Sequence, residues 1–302
     1  MTLNALGQSA TQPAMAFLNA QRGWGVPQEG RRAQIWFDTS LSKIGAGASP
    51  LTRLNVDTRG LTVGLDIPFG TLFRVGGFAG YRSLDGRLTQ GAPLDGNAWI
   101  VGGYAAIETP MGLYAEGSAA WIGDVKFDKI RRASVYGQEA TGSTKGSGWA
   151  LSGELGWSFP MGVASVTPFA AVDYSRMELD GYTETGASVS NLAYQDRKTT
   201  KLIASLGGEV AVQLGAIRPA LRGGYSFDNE YRDRSTTVRL AAAQHSMASV
   251  VVPLARTERD SAFGELRIAM REGRISGYVS GKGRWGRGDD DARINIGVGY
   301  SF

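Results

Sequence analysis

The stretch Leu-Ser-Gly-Glu-Leu-Gly-Trp-Ser-Phe at residues 151–159 alternates between two kinds of side chain. Its odd-numbered positions are apolar or glycine, whereas its even-numbered positions are Ser, Glu or Gly. Successive side chains of a β-strand point to opposite faces. The alternation therefore predicts a strand with one apolar face and one polar face.

The same period of two recurs along most of the chain, for example at residues 61–67 and 202–214. No amphipathic helical pattern of useful length interrupts it after residue 30, which argues against an α/β fold. The pattern predicts twelve strands. They lie at residues 32–44, 56–67, 72–84, 96–107, 112–126, 146–159, 164–178, 199–214, 216–228, 258–271, 274–286 and 292–302.

The connections between these strands alternate in length. Tight turns, in which Gly allows positive φ, occur at residues 68–70, 110–112, 160–162, 214–215 and 271–273. Apart from a short last one at 287–291, the connections between them are longer and more polar, at residues 45–55, 85–95, 127–145, 179–198 and 229–257. Outer-membrane barrels place short turns in the periplasm and long loops outside. We therefore predict an all-β fold, a twelve-stranded antiparallel transmembrane β-barrel, rather than a soluble β-sandwich.

Composition agrees with this fold and narrows the function. The 302 residues contain no Cys, and the net charge of +4 is spread among nearly as many acidic as basic side chains, so no nucleic-acid partner is expected. The chain has no run of about 18 apolar residues, so no membrane-spanning helix is predicted. Residues 1–10 also lack the features of a secretory signal, from which we expect the chain to be the C-terminal part of a longer precursor.

Aromatic residues are placed as a membrane-spanning strand requires. Trp149 and Phe159 lie on the same face of one predicted strand. At the usual rise and tilt, they are separated by roughly 25 Å along the barrel axis, which equals the height of the apolar band. Two aromatic girdles are therefore expected.

The opposite face of the strands is charged and is predicted to line the lumen. A barrel of this strand number is roughly 24 Å in diameter, so its side chains leave space for about one helix. The predicted lumen residues are Asp38, Asp66, Arg74, Glu116, Glu154, Asp173, Lys201, Glu209, Arg218, Arg222, Glu265, Arg267, Lys282, Arg284 and Arg293.

Residues 1–30 supply an occupant for that space. Thr11-Gln12-Pro13 is typical of a helix start with a capping hydroxyl, and residues 14–20 form a short helix-compatible stretch that ends near Gly23. We predict that this helix runs through the pore. The predicted division is a linker with a pore-inserted helix at residues 1–30 and the β-barrel at residues 31–302.

The C-terminal octapeptide at residues 295–302 fits the outer-membrane assembly signal through Asn295, Gly297, Tyr300 and Phe302. With twelve strands and a preceding helix, the chain resembles the autotransporter (type V secretion) β-domain family over essentially its whole length. The resemblance implies a translocator and anchor in the bacterial outer membrane that exports an N-terminal passenger, itself absent from this sequence. The implied partners are outer-membrane lipid and lipopolysaccharide, the barrel assembly machinery and the passenger, with the barrel a monomer.

Some members of that family release the passenger by Asn cyclisation. Here the resemblance singles out the Asn19–Ala20 bond, with a carboxylate from Asp38, Glu116, Glu154 or Asp173. This sequence lacks the Asn-Asn pair that one branch of the family uses. Otherwise no enzymatic activity, metal or cofactor is expected.

Two other functions fit a barrel of this size. One is a channel or porin for small solutes, which would conduct ions freely. The other is an outer-membrane phospholipase, for which the single histidine, His245, lies in a predicted loop without a recognisable Ser and orienting residue on the same wall. The second function is therefore the weaker alternative.

Overall fold

The computed structural model describes residues 2–24, 32–46, 54–88, 93–134, 137–232, 235–242, 249–253, 260–286 and 289–302. Two helices come first, α1 (Thr2–Ala10) and α2 (Gln12–Gln21). The strands follow, and their bounds are β1 Gln34–Ala46, β2 Leu54–Phe69, β3 Phe73–Leu88, β4 Pro93–Glu108, β5 Leu113–Ala133, β6 Glu139–Trp157, β7 Phe159–Met161, β8 Ala164–Leu179, β9 Tyr182–Thr183, β10 Leu192–Tyr194, β11 Arg197–Val212, β12 Ile217–Arg232, β13 Ser235–Leu240, β14 Ser249–Pro253, β15 Asp260–Glu272, β16 Ile275–Gly286 and β17 Asp289–Ser301.

Twelve of these strands form a closed antiparallel barrel. The order around the ring is β1-β2-β3-β4-β5-β6-β8-β11-β12-β15-β16-β17, and the short β7 adds only a few residues beside β8. β17 pairs with β1, so that Gln34 lies opposite Ser301 and Ala46 opposite Asp289. Closure leaves no unpaired barrel edge, as a hydrocarbon environment demands. The predicted twelve-stranded barrel is confirmed.

The short turns gather at one end of the barrel, which we call the turn end, and the long connections at the other, the loop end. Each turn contains a glycine with a φ that side-chain-bearing residues rarely adopt. The values are 62° at Gly70, 83° at Gly112, 67° at Gly162, 60° at Gly215 and 56° at Gly273. The predicted tight turns are therefore confirmed.

The barrel strands continue further at the loop end than predicted. β5 and β6 extend through much of residues 127–145, which were expected to be a loop. β9, β10, β13 and β14 form a separate four-stranded sheet within two other expected loops. These predictions were wrong because, beyond the membrane, both faces of a strand contact water and apolar alternation no longer marks it.

This outer sheet is held together around Glu184, which is 2% exposed. Its carboxylate accepts hydrogen bonds from the Arg132 guanidinium at 2.6 Å, the Leu192 amide at 2.9 Å and the Tyr194 hydroxyl at 3.3 Å. Burial raises the pKa of Tyr194, so its hydroxyl stays protonated and remains a donor. The sheet is thereby fixed to the extension of β5.

The outer surface of the barrel is an apolar belt between two aromatic girdles. Trp149 is 40% exposed and Phe159 is 44% exposed, as expected for side chains in contact with lipid. Exposed aromatic residues at the turn end are Phe69, Phe73, Trp157, Phe159 and Phe302; those toward the loop end are Tyr81, Trp99, Trp121, Trp149 and Trp285.

Both helices lie inside the barrel. α1 contacts β5, β6, β8 and β11, and α2 contacts β1, β4, β5 and β15 to β17. Phe17 of α2, 1% exposed, stacks on Trp36 with the ring centroids 4.9 Å apart. The Trp36 indole in turn donates to the Tyr104 hydroxyl at 2.8 Å. No helix among the described residues is long and apolar enough to cross a membrane.

The N-terminal segment differs from its prediction in two ways. A second helix, α1, precedes the predicted one; its composition, with Gly7 in mid-helix, gives it weak intrinsic propensity. A Cβ at Gly7 would lie 2.7 Å from the Cβ of Ser175, so close contact with the wall requires this glycine. Thr11 does precede α2, but its hydroxyl makes no capping bond and instead lies 2.6 Å from the Ser152 hydroxyl.

Candidate functional site

Arg22 is the residue that connects the lumen helices to the barrel wall. Residues 1–21 contain no Asp, Glu, Lys or Arg, so Arg22 carries the first side-chain charge of the chain. It directly follows α2, and its backbone amide donates to the Leu18 carbonyl at 3.1 Å. Its side chain is only 5% exposed.

Three glutamates from three different strands surround the Arg22 guanidinium. It pairs with Glu116 of β5, with Glu154 of β6 at 3.2 Å and with Glu209 of β11 at 3.2 Å. Their side chains are at most 4% exposed. A charge buried to this degree is tolerated only when it is paired and hydrogen-bonded. The alternation of the strands turns all three carboxylates inward, and the register of β5 and β6 places Glu116 directly opposite Glu154.

Further arginines of the wall complete the pairing. Arg267 pairs with Glu209 at 2.6 Å and with Glu265 at 3.5 Å, and Arg218 lies 3.6 Å from Glu209. Arg222 pairs with Glu154. The Arg22 cluster is thus formed by four arginines and four glutamates, namely Arg22, Arg218, Arg222, Arg267, Glu116, Glu154, Glu209 and Glu265.

Aromatic rings and hydrogen bonds orient the cluster. The Arg22 guanidinium lies over the Tyr114 ring at 3.9 Å, and the Tyr114 hydroxyl donates to Glu154 at 2.8 Å. Arg222 lies over the Phe169 ring at 3.7 Å and donates to the Asn19 carboxamide oxygen at 2.9 Å. Cation–π contacts of this kind are strongest where water is excluded. Gln21 also donates to the Ser276 hydroxyl at 3.1 Å. The end of α2 is therefore held at three points, Asn19, Gln21 and Arg22.

The contacts along the segment give its direction. Near its start, Gly7 approaches Ser175 and Met177, close to the end of β8 that leads into the outer sheet. After Arg22, the Gly23 amide donates at 3.3 Å to Glu108, which ends β4 beside a tight turn. The segment therefore enters at the loop end and leaves at the turn end.

The predicted lumen residues divide between this cluster and other places on the inner wall. Seven of the fifteen belong to the cluster, namely Glu116, Glu154, Glu209, Arg218, Arg222, Glu265 and Arg267. The other eight lie apart from it. Arg74 donates to Asp66 at 2.8 Å, Asp173 accepts from Ser152 at 2.5 Å, and Asp38 accepts from Tyr278 at 2.7 Å. Lys201 pairs with Asp228 at 2.6 Å, Arg293 lies 3.6 Å from Asp291, Lys282 lies over the Phe263 ring at 5.2 Å, and Arg284 is on β16.

The other predicted positions are also placed. Asn19 and Ala20 lie in α2 and are 7% and 2% exposed. Of the four proposed carboxylates, Glu154 is linked to Asn19 through Arg222. In the assembly signal, Asn295 is buried and turned inward, whereas Tyr300 and Phe302 are 46% and 60% exposed on the lipid side.

Sequence reasoning missed Arg22 and Tyr114. Tyr114 carries no signal in the chain that separates it from other strand aromatics. Arg22 does, because a lone charge that ends a long uncharged segment bound for a charged lumen must find its partners there.

The sequence model of the autotransporter β-domain family matches residues 36–282. The chain belongs to the autotransporter β-domain family. Its barrel resembles the translocator domain of NalP from Neisseria meningitidis, with a TM-score of 0.78 at 14% identity over 99% of this chain and 98% of that one. The β-domain of BrkA from Bordetella gives a TM-score of 0.64 at 18% identity, over 90% and 100% of the two chains.

A curated relative of this autotransporter β-domain is the esterase EstA of Pseudomonas aeruginosa. It is 28% identical over 192 residues, which cover 60% of this chain and 28% of EstA. The match therefore spans less than a third of that protein.

As an autotransporter β-domain, the chain is an outer-membrane anchor and translocator. Outer-membrane barrels in general place their short turns in the periplasm and their long loops outside. A solute channel and a phospholipase are not favoured by these findings. His245 lies outside the described residues. Within the described ranges, no group of three or more His, Asp or Glu side chains could hold a metal ion.

Proposed function

We propose that residues 1–30 are the linker of an exported passenger and that residues 31–302 are the barrel through which it passes and to which it stays attached. The observation that supports this is the path of the lumen helices. Because the chain before Thr2 would emerge at the loop end, a protein joined there would lie on the cell surface. The Arg22 cluster then fixes the linker once export is finished.

The proposal requires the linker to fill the pore. Phe17 and Leu18 of α2 are buried inside the barrel, and Arg22, which directly follows α2, pairs with the wall. Ions should therefore pass poorly through the complete chain and readily through a chain that lacks the linker.

Single-channel recordings on the refolded protein in planar bilayers test this. We expect low conductance for the complete chain and a severalfold higher conductance after deletion of residues 1–25. An outward-facing change, Arg59→Gln, serves as the control and should leave conductance low. Equal, high conductance of the complete and truncated chains would show an open solute channel and contradict the proposal.

We also propose specific partners for the barrel, on the basis of its outward-facing residues. The outward Tyr300 and Phe302 suit recognition by the barrel assembly machinery, and the apolar belt suits outer-membrane lipid with lipopolysaccharide in the outer leaflet. A single closed barrel needs no second copy, so we propose a monomer. Cross-linking in intact cells, with identification of each captured partner, tests these assignments. The activity of the passenger is outside this proposal, since the name esterase belongs to the whole of EstA.

A second proposal concerns the Asn19–Ala20 bond. In Asn cyclisation, the side-chain nitrogen attacks its own main-chain carbonyl carbon, a succinimide forms, the bond to Ala20 breaks and a proton passes to the released amine. Arg222 bound to the carboxamide oxygen makes the side-chain N–H more acidic, and Glu154 on the same guanidinium is a nearby base. This pairing favours Glu154 over the other three carboxylates.

The helical conformation of Asn19 opposes this reaction, because its carbonyl would have to leave α2 before it could be attacked. Processing of a precursor that carries its passenger decides the matter. We expect Asn19→Ala and Glu154→Gln to abolish cleavage, and the control Asp173→Asn to leave it intact. Cleavage at the normal rate in Asn19→Ala would exclude the mechanism.

A further inference from the structure

The barrel closes where β1 meets β17, and this seam differs from every other strand pair of the barrel. Elsewhere, neighbouring barrel strands follow one another along the chain, whereas the seam joins the first strand to the last. Bringing together two distant parts of a chain costs more entropy than closing a hairpin. Contacts that cross the seam are therefore needed to keep the ring closed.

Asp38 of β1 makes such contacts. It is 1% exposed, and its carboxylate accepts from the Tyr278 hydroxyl at 2.7 Å and from the Asn295 amide at 3.3 Å. Tyr278 lies on β16 and Asn295 on β17. Both side-chain donors thus come from the last two strands, on the far side of the seam.

Gln34 of β1 repeats the arrangement nearer the turn end. Its amide donates to the Ser276 hydroxyl on β16, passing over β17. The inward positions of β17 at this level are Gly297 and Gly299. A Cβ on Gly297 would lie 2.2 Å from the Tyr278 ring, and one on Gly299 would lie 2.0 Å from the Gln34 amide nitrogen. Because β17 carries only glycine on its inward side at this level, side chains of β16 and β1 can reach across it and hydrogen-bond to each other.

We propose that Asp38, supported by Gln34, is a seam latch, a positioning residue for barrel closure. Its hydrogen bonds tie three strands together and can form only after β1 has paired with β17. They stabilise the closed ring against opening at this one strand pair, and they give a physical reason for Gly297 of the assembly signal and for Gly299 beside it.

A second buried carboxylate serves as a matched control. Asp66 is 0% exposed and accepts from Arg74 at 2.8 Å. The two residues lie on β2 and β3, which are joined by a tight turn. Loss of the Asp66 carboxylate should weaken the barrel without acting on the seam.

Engineered cysteine pairs distinguish opening at the seam from a general weakening of the barrel. They can be introduced cleanly because the chain has no native Cys. Leu41→Cys with Ile294→Cys places thiols directly opposite each other across the seam. Val63→Cys with Ala79→Cys does so across β2 and β3. Directly opposite residues have Cα atoms about 5 Å apart, which a disulfide can span. Unfolding rates of the refolded chain in urea are read from the mobility of folded protein on gels.

In the reduced state we expect Asp38→Ala to unfold roughly tenfold or more faster than the parent, the effect of losing hydrogen bonds to a charged group. With the seam disulfide formed, Asp38→Ala should unfold at the rate of its cross-linked parent. Asp66→Ala should remain faster than that parent, and the β2–β3 disulfide should not rescue Asp38→Ala.

Two results would overturn the latch. One is that Asp38→Ala still unfolds faster than its parent when the seam disulfide is formed. The other is that the β2–β3 disulfide slows the unfolding of Asp38→Ala as much as the seam disulfide does. If Asp38→Ala fails to fold, Tyr278→Phe removes a single hydroxyl and is compared in the same two cross-linked backgrounds.

Discussion

At the scale of single residues, the lumen contains buried charges that pair with one another, so removing any one of them leaves its partners buried without compensation. Arg22 faces three carboxylates, and each is almost wholly buried. A neutral side chain at position 22 would leave these carboxylates short of one cation in a region of low dielectric. Removing one partner from such a group costs about 3–5 kcal/mol, far more than breaking an exposed ion pair.

We therefore expect Arg22→Gln to weaken the attachment of the linker by about 3 kcal/mol or more. The lumen helices should then become accessible to protease in the folded protein, and the temperature at which the barrel unfolds should fall. Limited proteolysis followed by mass spectrometry measures the first effect. Arg176→Gln is the matched control, since its ion pair with Glu178 is about half exposed. Full protection of the helices in Arg22→Gln would contradict the role given to the cluster.

At the scale of the elements, the strands inside the membrane, the tight turns and α2 could be predicted from the sequence, whereas α1, the outer sheet and the extension of β5 could not. Lipid on one side and charge on the other impose alternation, as in residues 151–159. Outside the membrane that contrast is lost, which is why the outer sheet and the extension of β5 were missed. α1 was missed because a helix surrounded by a barrel does not need high propensity of its own. The charged side chains could be placed in the lumen, but their grouping around Arg22 depends on strand register, which alternation leaves open.

The tight turns allow a comparison between two glycines of similar φ. A Cβ at Gly112 would lie 2.1 Å from the Ser158 carbonyl oxygen, whereas a Cβ at Gly70 would meet nothing within 4 Å. We expect Gly70→Ala to cost about 1 kcal/mol for its left-handed backbone alone, and Gly112→Ala to cost clearly more. Urea unfolding of the two variants measures the difference. Equal losses of stability would mean that the contact with Ser158 relaxes freely.

At the scale of the whole molecule, the chain combines a rigid wall with an occupant that belongs to the same polypeptide. The barrel wall is complete only when β17 is in place. This strand closes the ring and also carries the outward Tyr300 and Phe302. The proposed assembly signal and the proposed seam latch therefore share one strand and use its opposite faces.

Truncating the Phe302 side chain should lower the amount of barrel assembled in cells without lowering the stability of the purified barrel. This side chain is 60% exposed and faces lipid, so a purified Phe302→Ala protein should refold with nearly normal stability. In cells, we expect severalfold less folded barrel in the outer membrane if the assembly machinery reads this aromatic ring. Gel mobility of heated and unheated membranes measures the folded fraction, and Met161→Ala, another exposed apolar side chain at the same end, is the control. Normal amounts of folded Phe302→Ala barrel would remove this ring from the recognition signal.

The charge-free run that precedes Arg22 also sets a distance. A segment with no ionic side chains can slide past the paired arginines and glutamates of the wall without exchanging partners with them. Movement toward the exterior should then halt when Arg22 reaches its three acceptors on the wall. α1 has 9 residues and α2 has 10, with a bend at Thr11 between them, so each helix covers about half of the roughly 30 Å hydrocarbon layer. The number of uncharged residues before Arg22 thus determines where α1 comes to rest along the barrel axis.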